Sequence, residues 1–156
     1  MKPLALLLLI PLVGCSLTQP TATSTATAAA APAQSAWSGQ PIVMRIRGLH
    51  GMTNKADRTV RKQLEAALRA RGIRLTSRPS GWTHELRGRF ISLNEASATS
   101  ISYVYDIAPA GGGPSVRITG FERSAGSSSD PWGGVNAAVA QRMAVRSAER
   151  IVAKLR

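Results

Sequence analysis

Apolar and polar residues alternate along several short segments of this chain, and this period of two constrains its fold more than any other feature. The alternation is clearest over 42–47 and 99–108, and it recurs in part over 84–93 and 115–123. An alternating segment is typical of a β-strand with one buried face and one solvated face. The pattern therefore predicts a sheet that is covered on one side and open on the other.

Two other segments follow the period of a helix. Apolar residues recur at helical spacing from Ala56 to Leu68, after Asn54, which can cap the helix. A second helix is expected to begin at Asp130-Pro131, because Asp caps helices and Pro fits the first turn, and to run to the C-terminus. A short strand over 73–76 is expected between the first helix and the strand that begins near His84.

The resulting order is β-α-β-β-β-β-α, which predicts an α+β fold for residues 41–156. In this two-layer sandwich, two helices pack on one face of a mostly antiparallel sheet of four to five strands. The expected core residues of the strands are Ile42, Met44, Ile46, Leu86, Phe90, Ile101, Tyr103, Tyr105, Ile107, Val116 and Ile118. Those of the last helix are Val135, Val139, Met143, Ile151, Val152 and Leu155.

The start of the chain has the pattern of a secretory signal. Lys2 precedes an apolar run from Leu4 to Val13, which is too short to cross a bilayer because a spanning helix needs about 20 residues. The sequence Leu12-Val13-Gly14-Cys15 resembles the lipobox of bacterial lipoproteins, in which the Cys is acylated and becomes the mature N-terminus. A lipoprotein signal peptide over 1–14 and a lipid anchor on Cys15 are expected. The alternative is an ordinary signal peptide followed by a coincidental Cys.

The segment after Cys15 predicts a flexible tether over 15–40, since it is rich in Thr, Ala, Ser and Pro and carries no charge. Ser16 follows the Cys where Asp would favour retention in the inner membrane, so the lipobox resemblance implies the periplasmic face of the outer membrane. Cys15 is the only Cys, which excludes an internal disulfide. No cofactor is expected other than the covalent lipid.

The chain is strongly basic, with 20 Lys and Arg against 8 Asp and Glu and a formal net charge of +12. Such a balance is typical of nucleic-acid binding, but the predicted periplasmic location excludes nucleic acid as a partner. The expected anionic partners are lipid A phosphates, phospholipid headgroups and acidic proteins. Six arginines are expected on the open face, at positions opposite the core residues: Arg45, Arg47, Arg87, Arg89, Arg117 and Arg123.

Two interpretations of these arginines remain open. The guanidinium group can bind phosphate and carboxylate through two parallel hydrogen bonds, which suits an anion-binding face. The same arginines can also simply solvate an exposed sheet and deter pairing with other strands. Glu85, Asp106 and Thr119 are expected among them on the same face.

The sequence shows no catalytic or metal-binding pattern, so the protein is not expected to be an enzyme. His50, in a loop expected from Gly48 to Met52, and His84, at the start of a strand, have no Ser or Cys nucleophile near them in sequence. Both are expected to be ordinary surface residues. Gly111–Gly113 precede a strand rather than a helix, which argues against a phosphate-binding loop. The segment Asp130-Pro131-Trp132-Gly133 is an alternative docking corner for a protein partner.

The predicted domain resembles the LPS-assembly lipoprotein family, the partner of the outer-membrane barrel that exports LPS. The resemblance lies in the helix end Leu68-Arg69-Ala70-Arg71-Gly72-Ile73, the strand Tyr103-Val104-Tyr105 and the final amphipathic helix. It implies the same α+β fold and a role as an envelope assembly factor. Similar small lipoproteins serve cell-wall synthases or secretion assemblies, so an adaptor role in such a complex is the alternative.

Overall fold

The computed structural model describes residues 41–95, 97–125 and 129–156 and has the predicted order of elements. The strands are β1 (Val43–His50), β2 (Arg74–Leu75), β3 (His84–Asn94), β4 (Ala98–Pro109) and β5 (Val116–Ala125). The helices are α1 (Asn54–Arg69) and α2 (Ala137–Leu155). The expected signal peptide over 1–14 and tether over 15–40, with Cys15, lie outside the described residues.

The five strands form one curled sheet in the order β2-β1-β3-β4-β5. β1 is parallel to both of its neighbours, β2 and β3, whereas β3, β4 and β5 form an antiparallel meander. The antiparallel ladders are much the longer ones, so the prediction of a mostly antiparallel sheet in an α+β fold is confirmed. Parallel neighbours need a crossover connection, and α1 supplies the one between β1 and β2.

β1 extends further than its alternation suggests. A loop was expected from Gly48 to Met52, but β1 continues to His50 and stays paired with β3 after a shift of register between Ile46 and Gly48. The shift is a bulge, which lets the strand twist without leaving the sheet. As a result Leu49 joins the core.

α1 buries the predicted stripe. Its buried residues are Ala56, Val60, Leu64, Ala67 and Leu68. The cap is Thr53 rather than the expected Asn54, because Thr53 has the extended backbone of a cap and its hydroxyl accepts a hydrogen bond from the backbone N–H of Ala56 at 3.4 Å. The chain leaves the helix through Gly72, whose φ of +81° suits a residue without a side chain.

α2 begins later than predicted. The expected start at Asp130-Pro131 is wrong, since the chain turns there and the Asp130 carboxylate accepts from the backbone N–H of Trp132 at 2.9 Å. Asn136 is the cap, and its side chain accepts from the N–H of Val139 at 3.0 Å. Gly133 and Gly134 favour this delay because glycine has a low helix propensity. Trp132 therefore packs against the core from a turn rather than from the helix.

The core between the sheet and the two helices centres on three aromatic rings. Phe90, Tyr103 and Tyr105 lie with their ring centroids 5.5 to 6.1 Å apart. Tyr103 lies across Gly120 on β5, where a Cβ atom would come within 2.1 Å of the tyrosine ring. The predicted core residues of the strands and of the last helix are buried, apart from Ile42, Ile46, Val116 and Val152, which are partly buried against the cluster.

Two hydroxyl groups in this core have no hydrogen-bond partner within the described residues. They belong to Tyr105 on β4 and Ser147 on α2, both of which are fully buried. Burial raises the pKa of the Tyr105 hydroxyl. The Ser147 hydroxyl partly opposes this rise, so the two hydroxyls lie near each other, but neither makes a hydrogen bond of good geometry. A buried hydroxyl without a well-formed hydrogen bond costs stability.

We expect Tyr105→Phe and Ser147→Ala to leave the free energy of unfolding unchanged or to raise it by about 1 kcal/mol each, because each change removes an unsatisfied polar atom from the core. Urea unfolding of the purified single and double variants measures this effect. A clear loss of stability in both single variants, with a smaller than additive loss in the double variant, would contradict it and would show that the two hydroxyls bond to each other.

Candidate functional site: the open face of the sheet

Both helices pack on the same face of the sheet, and no element of the described ranges covers the opposite face. We call this second surface the open face. On β3, β4 and β5 it consists of Glu85, Arg87, Arg89, Ile91, Leu93, Ser100, Ser102, Val104, Asp106, Arg117, Thr119, Phe121 and Arg123. Their strand neighbours Leu86, Phe90, Tyr103, Tyr105 and Ile118 are buried on the helix side. The arginines of β3 and β5 therefore lie on the face opposite the core, as predicted.

Asp106 lies at the centre of the charged half of the open face. In the sheet register it stands between Arg87 on β3 and Arg117 on β5. Its carboxylate accepts from Arg117 at 2.6 Å and from Arg89 at 2.8 Å. The hydrogen bond from Arg117 is the main reason that the pKa of Asp106 lies below its ordinary value, and it outweighs the opposing effect of partial burial.

Glu85 forms a second group of the same kind. Its carboxylate contacts Arg87 at 2.7 Å and Arg47 at 3.5 Å, and only 7% of its side chain is exposed. Burial alone would raise the pKa of Glu85, but the hydrogen bond and charge of Arg87, followed by those of Arg47, hold the pKa below its ordinary value. Two arginines thus share one carboxylate here as well.

The other two predicted arginines lie apart from these groups. Arg123 contacts Glu95 at 2.6 Å, and Glu95 also accepts from the Ser100 hydroxyl. That hydrogen bond from Ser100, with the help of Arg123, lowers the pKa of Glu95. Arg45 donates to the backbone carbonyl of Pro79 at 3.3 Å.

The structure therefore brings four of the six predicted arginines into two clusters, each with one carboxylate between two guanidinium groups. The remaining arginines, Arg45 and Arg123, lie elsewhere on the same face. The five arginines in ion pairs keep 55% to 63% of their side chains exposed. Because a guanidinium has five N–H donors, each of them keeps donors directed at solvent.

Sequence reasoning missed the apolar half of this face. Ile91, Leu93 and Phe121 are 64%, 64% and 56% exposed, and they are the exposed large apolar side chains of the described residues. Ile91 and Phe121 flank Ser102 in the register, and Leu93 faces Ser100. The sequence contained the signal for this patch. Ile91 and Leu93 follow Arg87 and Arg89 at every second position of β3, so all four side chains lie on the same face.

A further cluster of charges, also missed, covers the β5 edge of the sheet. The side chain of Glu122 points to the helix side, where it accepts from Arg142 at 2.8 Å and from Arg146 at 3.1 Å. One turn further along α2, Arg150 donates to the backbone carbonyl of Thr119. These arginines recur every four residues, so they lie on one side of α2 and attach it to the edge strand.

The two histidines differ from expectation. His84 is 2% exposed, so the prediction of a surface residue is wrong for it. Its Nδ1 lies 3.0 Å from the Thr83 hydroxyl, and burial lowers its pKa. His50 is exposed, but it ends β1 instead of lying in a loop. Within the described ranges no group of three His, Cys, Asp or Glu side chains could hold a metal ion.

The predicted docking corner lines a cleft of about 460 Å³. Asp130, Trp132 and Asn136 form one side of the cleft, and Thr53 and Lys55 at the start of α1 form the other. The cleft therefore lies beside the first turns of both helices, away from the open face.

Comparisons with known proteins relate the chain to solved structures of low sequence identity. No family model matches the chain, and no curated protein matches it. A PelC dodecamer from Paraburkholderia phytofirmans is 16% identical, with 69% of this chain and 85% of that chain covered and a TM-score of 0.44. A DUF330 protein from Xanthomonas campestris is 7% identical, with 72% and 84% covered and a TM-score of 0.47. At these scores no functional argument follows from either likeness.

Neither helix of the described part of the chain is both long enough and apolar enough to cross a bilayer.

We expect the stability of the protein to depend on pH through Glu85. Its folded-state pKa lies below the ordinary value of 4.5, so its ion pairs stabilise the fold fully above that value. The stabilisation is lost as the pH falls through the lowered pKa, and the free energy of unfolding should therefore decrease from about pH 5 downward. Glu85→Gln should cost about 1 to 2 kcal/mol at pH 7, because it removes charged hydrogen bonds from a buried site.

Urea unfolding between pH 3 and pH 7 tests this expectation. The Glu85→Gln protein should show a shallower decrease at acidic pH than the native protein. Parallel pH profiles for the two proteins would show that the Glu85 pairs do not contribute to acid sensitivity.

Proposed function

We propose that the protein is a non-enzymatic lipoprotein of the bacterial envelope that acts as an assembly or binding factor. Acylated Cys15 would anchor it to the periplasmic face of the outer membrane, and the open face would contact an anionic envelope ligand. LPS is the first candidate ligand, with an outer-membrane barrel protein as a partner in LPS transport. The observation that carries the proposal is the arrangement of exposed arginines around shared carboxylates on the open face.

The charge balance of the two clusters supports an anionic ligand. Each cluster has two arginines and one carboxylate, Glu85 in the first cluster and Asp106 in the second. The carboxylate neutralises one arginine, so one positive charge remains in each cluster. The carboxylates also hold the guanidinium groups in place before a ligand arrives. Preorganised arginines lose little side-chain entropy when they bind phosphate or carboxylate groups.

The proposed location at the outer membrane supports the choice of ligand. An apolar run that is followed closely by Cys15 favours export and acylation, and acyl chains stabilise membrane attachment by about 0.8 kcal/mol for each buried CH₂ group. A protein held at the outer membrane meets the phosphates of lipid A and of phospholipids. Nucleic acid is not proposed as a partner.

A second candidate function is that of an adaptor in a cell-wall or secretion complex. The cleft beside Trp132 favours it, because a partly buried tryptophan beside a cleft of about 460 Å³ is suited to receive a side chain from another protein. A photo-crosslinking residue at Lys55, which also lines the cleft, would capture a single protein partner in cells if this function is correct.

We expect Cys15→Ser to release the protein from membranes in its native host, because the variant has no thiol to acylate. Fractionation of cells measures the release, and mass spectrometry of the native protein should show the mass of the attached acyl chains. Membrane attachment of the variant that resists a high-salt wash, which weakens electrostatic contacts of the open face, or an unmodified thiol on the native protein, would contradict the proposed anchor.

The arginines of β5 provide the sharpest test of ligand binding. Arg117→Gln/Arg123→Gln removes two charges from the open face but leaves Asp106 paired with Arg89 and Glu95 bonded to Ser100. We expect this variant to bind purified LPS about tenfold more weakly, since each charged hydrogen bond contributes on the order of 1 kcal/mol or more. Binding should also weaken with added salt.

The matched control is Lys55→Gln/Arg58→Gln, which removes the same charge from exposed positions on α1. It should bind LPS as the native protein does. Equal losses in both variants would mean that only the net charge matters and that the open face has no special role.

A further inference from the structure

We propose that the open face binds the surface of an anionic lipid bilayer, with Ile91, Leu93 and Phe121 inserted among the lipid headgroups. This inference rests on the proposed function, whose anionic ligand it identifies as a membrane surface rather than a soluble anion. The observation behind it is that the apolar side chains lie together in one half of the face, beside Arg123, and the arginine clusters around Glu85 and Asp106 lie in the other half.

The three apolar residues form one patch. Ile91 on β3 and Phe121 on β5 lie on either side of Ser102, whose small side chain leaves both of them raised above the sheet. Leu93 is the next residue of β3 on this face. More than half of each side chain is exposed to water, although the rest of the large apolar residues of the described chain are buried or partly buried. Exposed apolar groups that cluster on one surface are typical of an interaction site.

Arginine side chains border this patch on two sides. Arg89 precedes Ile91 on the same face of β3, and Arg123 follows Phe121 on the same face of β5. Both guanidinium groups are about 60% exposed. Glu95 neutralises Arg123 at 2.6 Å, whereas Arg89 shares Asp106 with Arg117, so the surplus positive charge lies on the Arg89 side. An apolar patch bordered by arginines is the chemical pattern of elements that lie in a membrane interface, where apolar groups enter the acyl boundary and cations meet phosphates.

Other occupants fit these observations less well. A soluble anion would satisfy the arginines but would leave the apolar patch in water. A second copy of the chain placed face to face would bring the positively charged clusters against one another, which is unfavourable. An anionic lipid surface satisfies both halves of the face at once.

The expected tether permits this orientation. β1 enters the sheet beside His84, at the start of β3, whereas Leu93 lies near the other end of β3. The patch is therefore about 30 Å from the point where the chain enters, given a rise of about 3.4 Å for each strand residue. The segment 15–40 could span up to about 90 Å when extended, which is long enough for the domain to lie on the membrane that anchors it.

Vesicle flotation tests the inference with a protein that starts at position 15 and carries Cys15→Ser, so that no acyl chain contributes. The vesicles contain phosphatidylcholine alone or phosphatidylcholine with 30% phosphatidylglycerol. We expect binding to the anionic vesicles, weak binding to the neutral ones, and at least a tenfold loss of anionic binding in Ile91→Ser/Leu93→Ser/Phe121→Ser. The conservative variant Ile91→Val/Leu93→Ile/Phe121→Leu should bind as the unsubstituted protein does.

Three outcomes would overturn the inference. The first is anionic-vesicle binding that the triple serine variant retains in full. The second is complete displacement of the protein from vesicles by glycerol phosphate, which would identify a soluble phosphate as the ligand. The third is a dimer in analytical ultracentrifugation that the triple serine variant converts to a monomer, which would identify a second copy as the occupant. Circular dichroism and urea unfolding of each variant establish that the comparison is between folded proteins.

The same experiment separates this inference from the proposed function. If Arg117→Gln/Arg123→Gln lowers binding while the triple serine variant does not, the anionic contact stands and only the apolar contact fails. If neither variant lowers binding, the open face binds no anionic surface and both proposals fail.

Discussion

The packing of both helices on one face of the sheet determines the properties of the opposite face. Because strand residues alternate between faces, each core residue of β3, β4 and β5 fixes the exposure of its neighbours in the chain. Leu86 and Phe90 cannot be buried unless Arg87, Arg89 and Ile91 face the other way. The charged and apolar halves of the open face are thus held in position by the same core that stabilises the fold.

Carboxylates then organise the charge on that face. An arginine-rich sheet without acids would repel itself, and Glu85 and Asp106 reduce this repulsion because each lies between two arginines. Glu85 is nearly buried, so its ion pairs also avoid the cost of an unpaired charge at the edge of the core. These ion pairs stabilise the fold and also leave a surplus of positive charge on the open face. The solvating and the ligand-binding interpretations of the arginines are therefore compatible.

Much of the fold could be predicted from periodicity, and the failures have local causes. The stripe of α1 and the alternation of β4 depend on side-chain burial, which the sequence pattern records directly. The start of α2 depends on competition between two caps, Asp130 and Asn136, which Gly133 and Gly134 decide in favour of the later one. The burial of His84 and the pairing of Glu122 with α2 depend on contacts between distant segments, which no local pattern contains. To predict the ion pairs of the open face, one needs the register of neighbouring strands as well as the face on which each residue lies.

The combination of arginine with exposed apolar residues has a consequence for association between copies. A patch such as Ile91, Leu93 and Phe121 on a flat sheet would by itself favour aggregation, since apolar faces stack readily. The surplus positive charge of Arg89 and Arg117, which share Asp106 beside the patch, opposes that stacking, because two copies would have to bring like charges together as their apolar groups met. The same charges attract an anionic surface, where the repulsion is absent. The arginines therefore discriminate between occupants of the patch. They disfavour a second copy of the chain and favour a negatively charged surface.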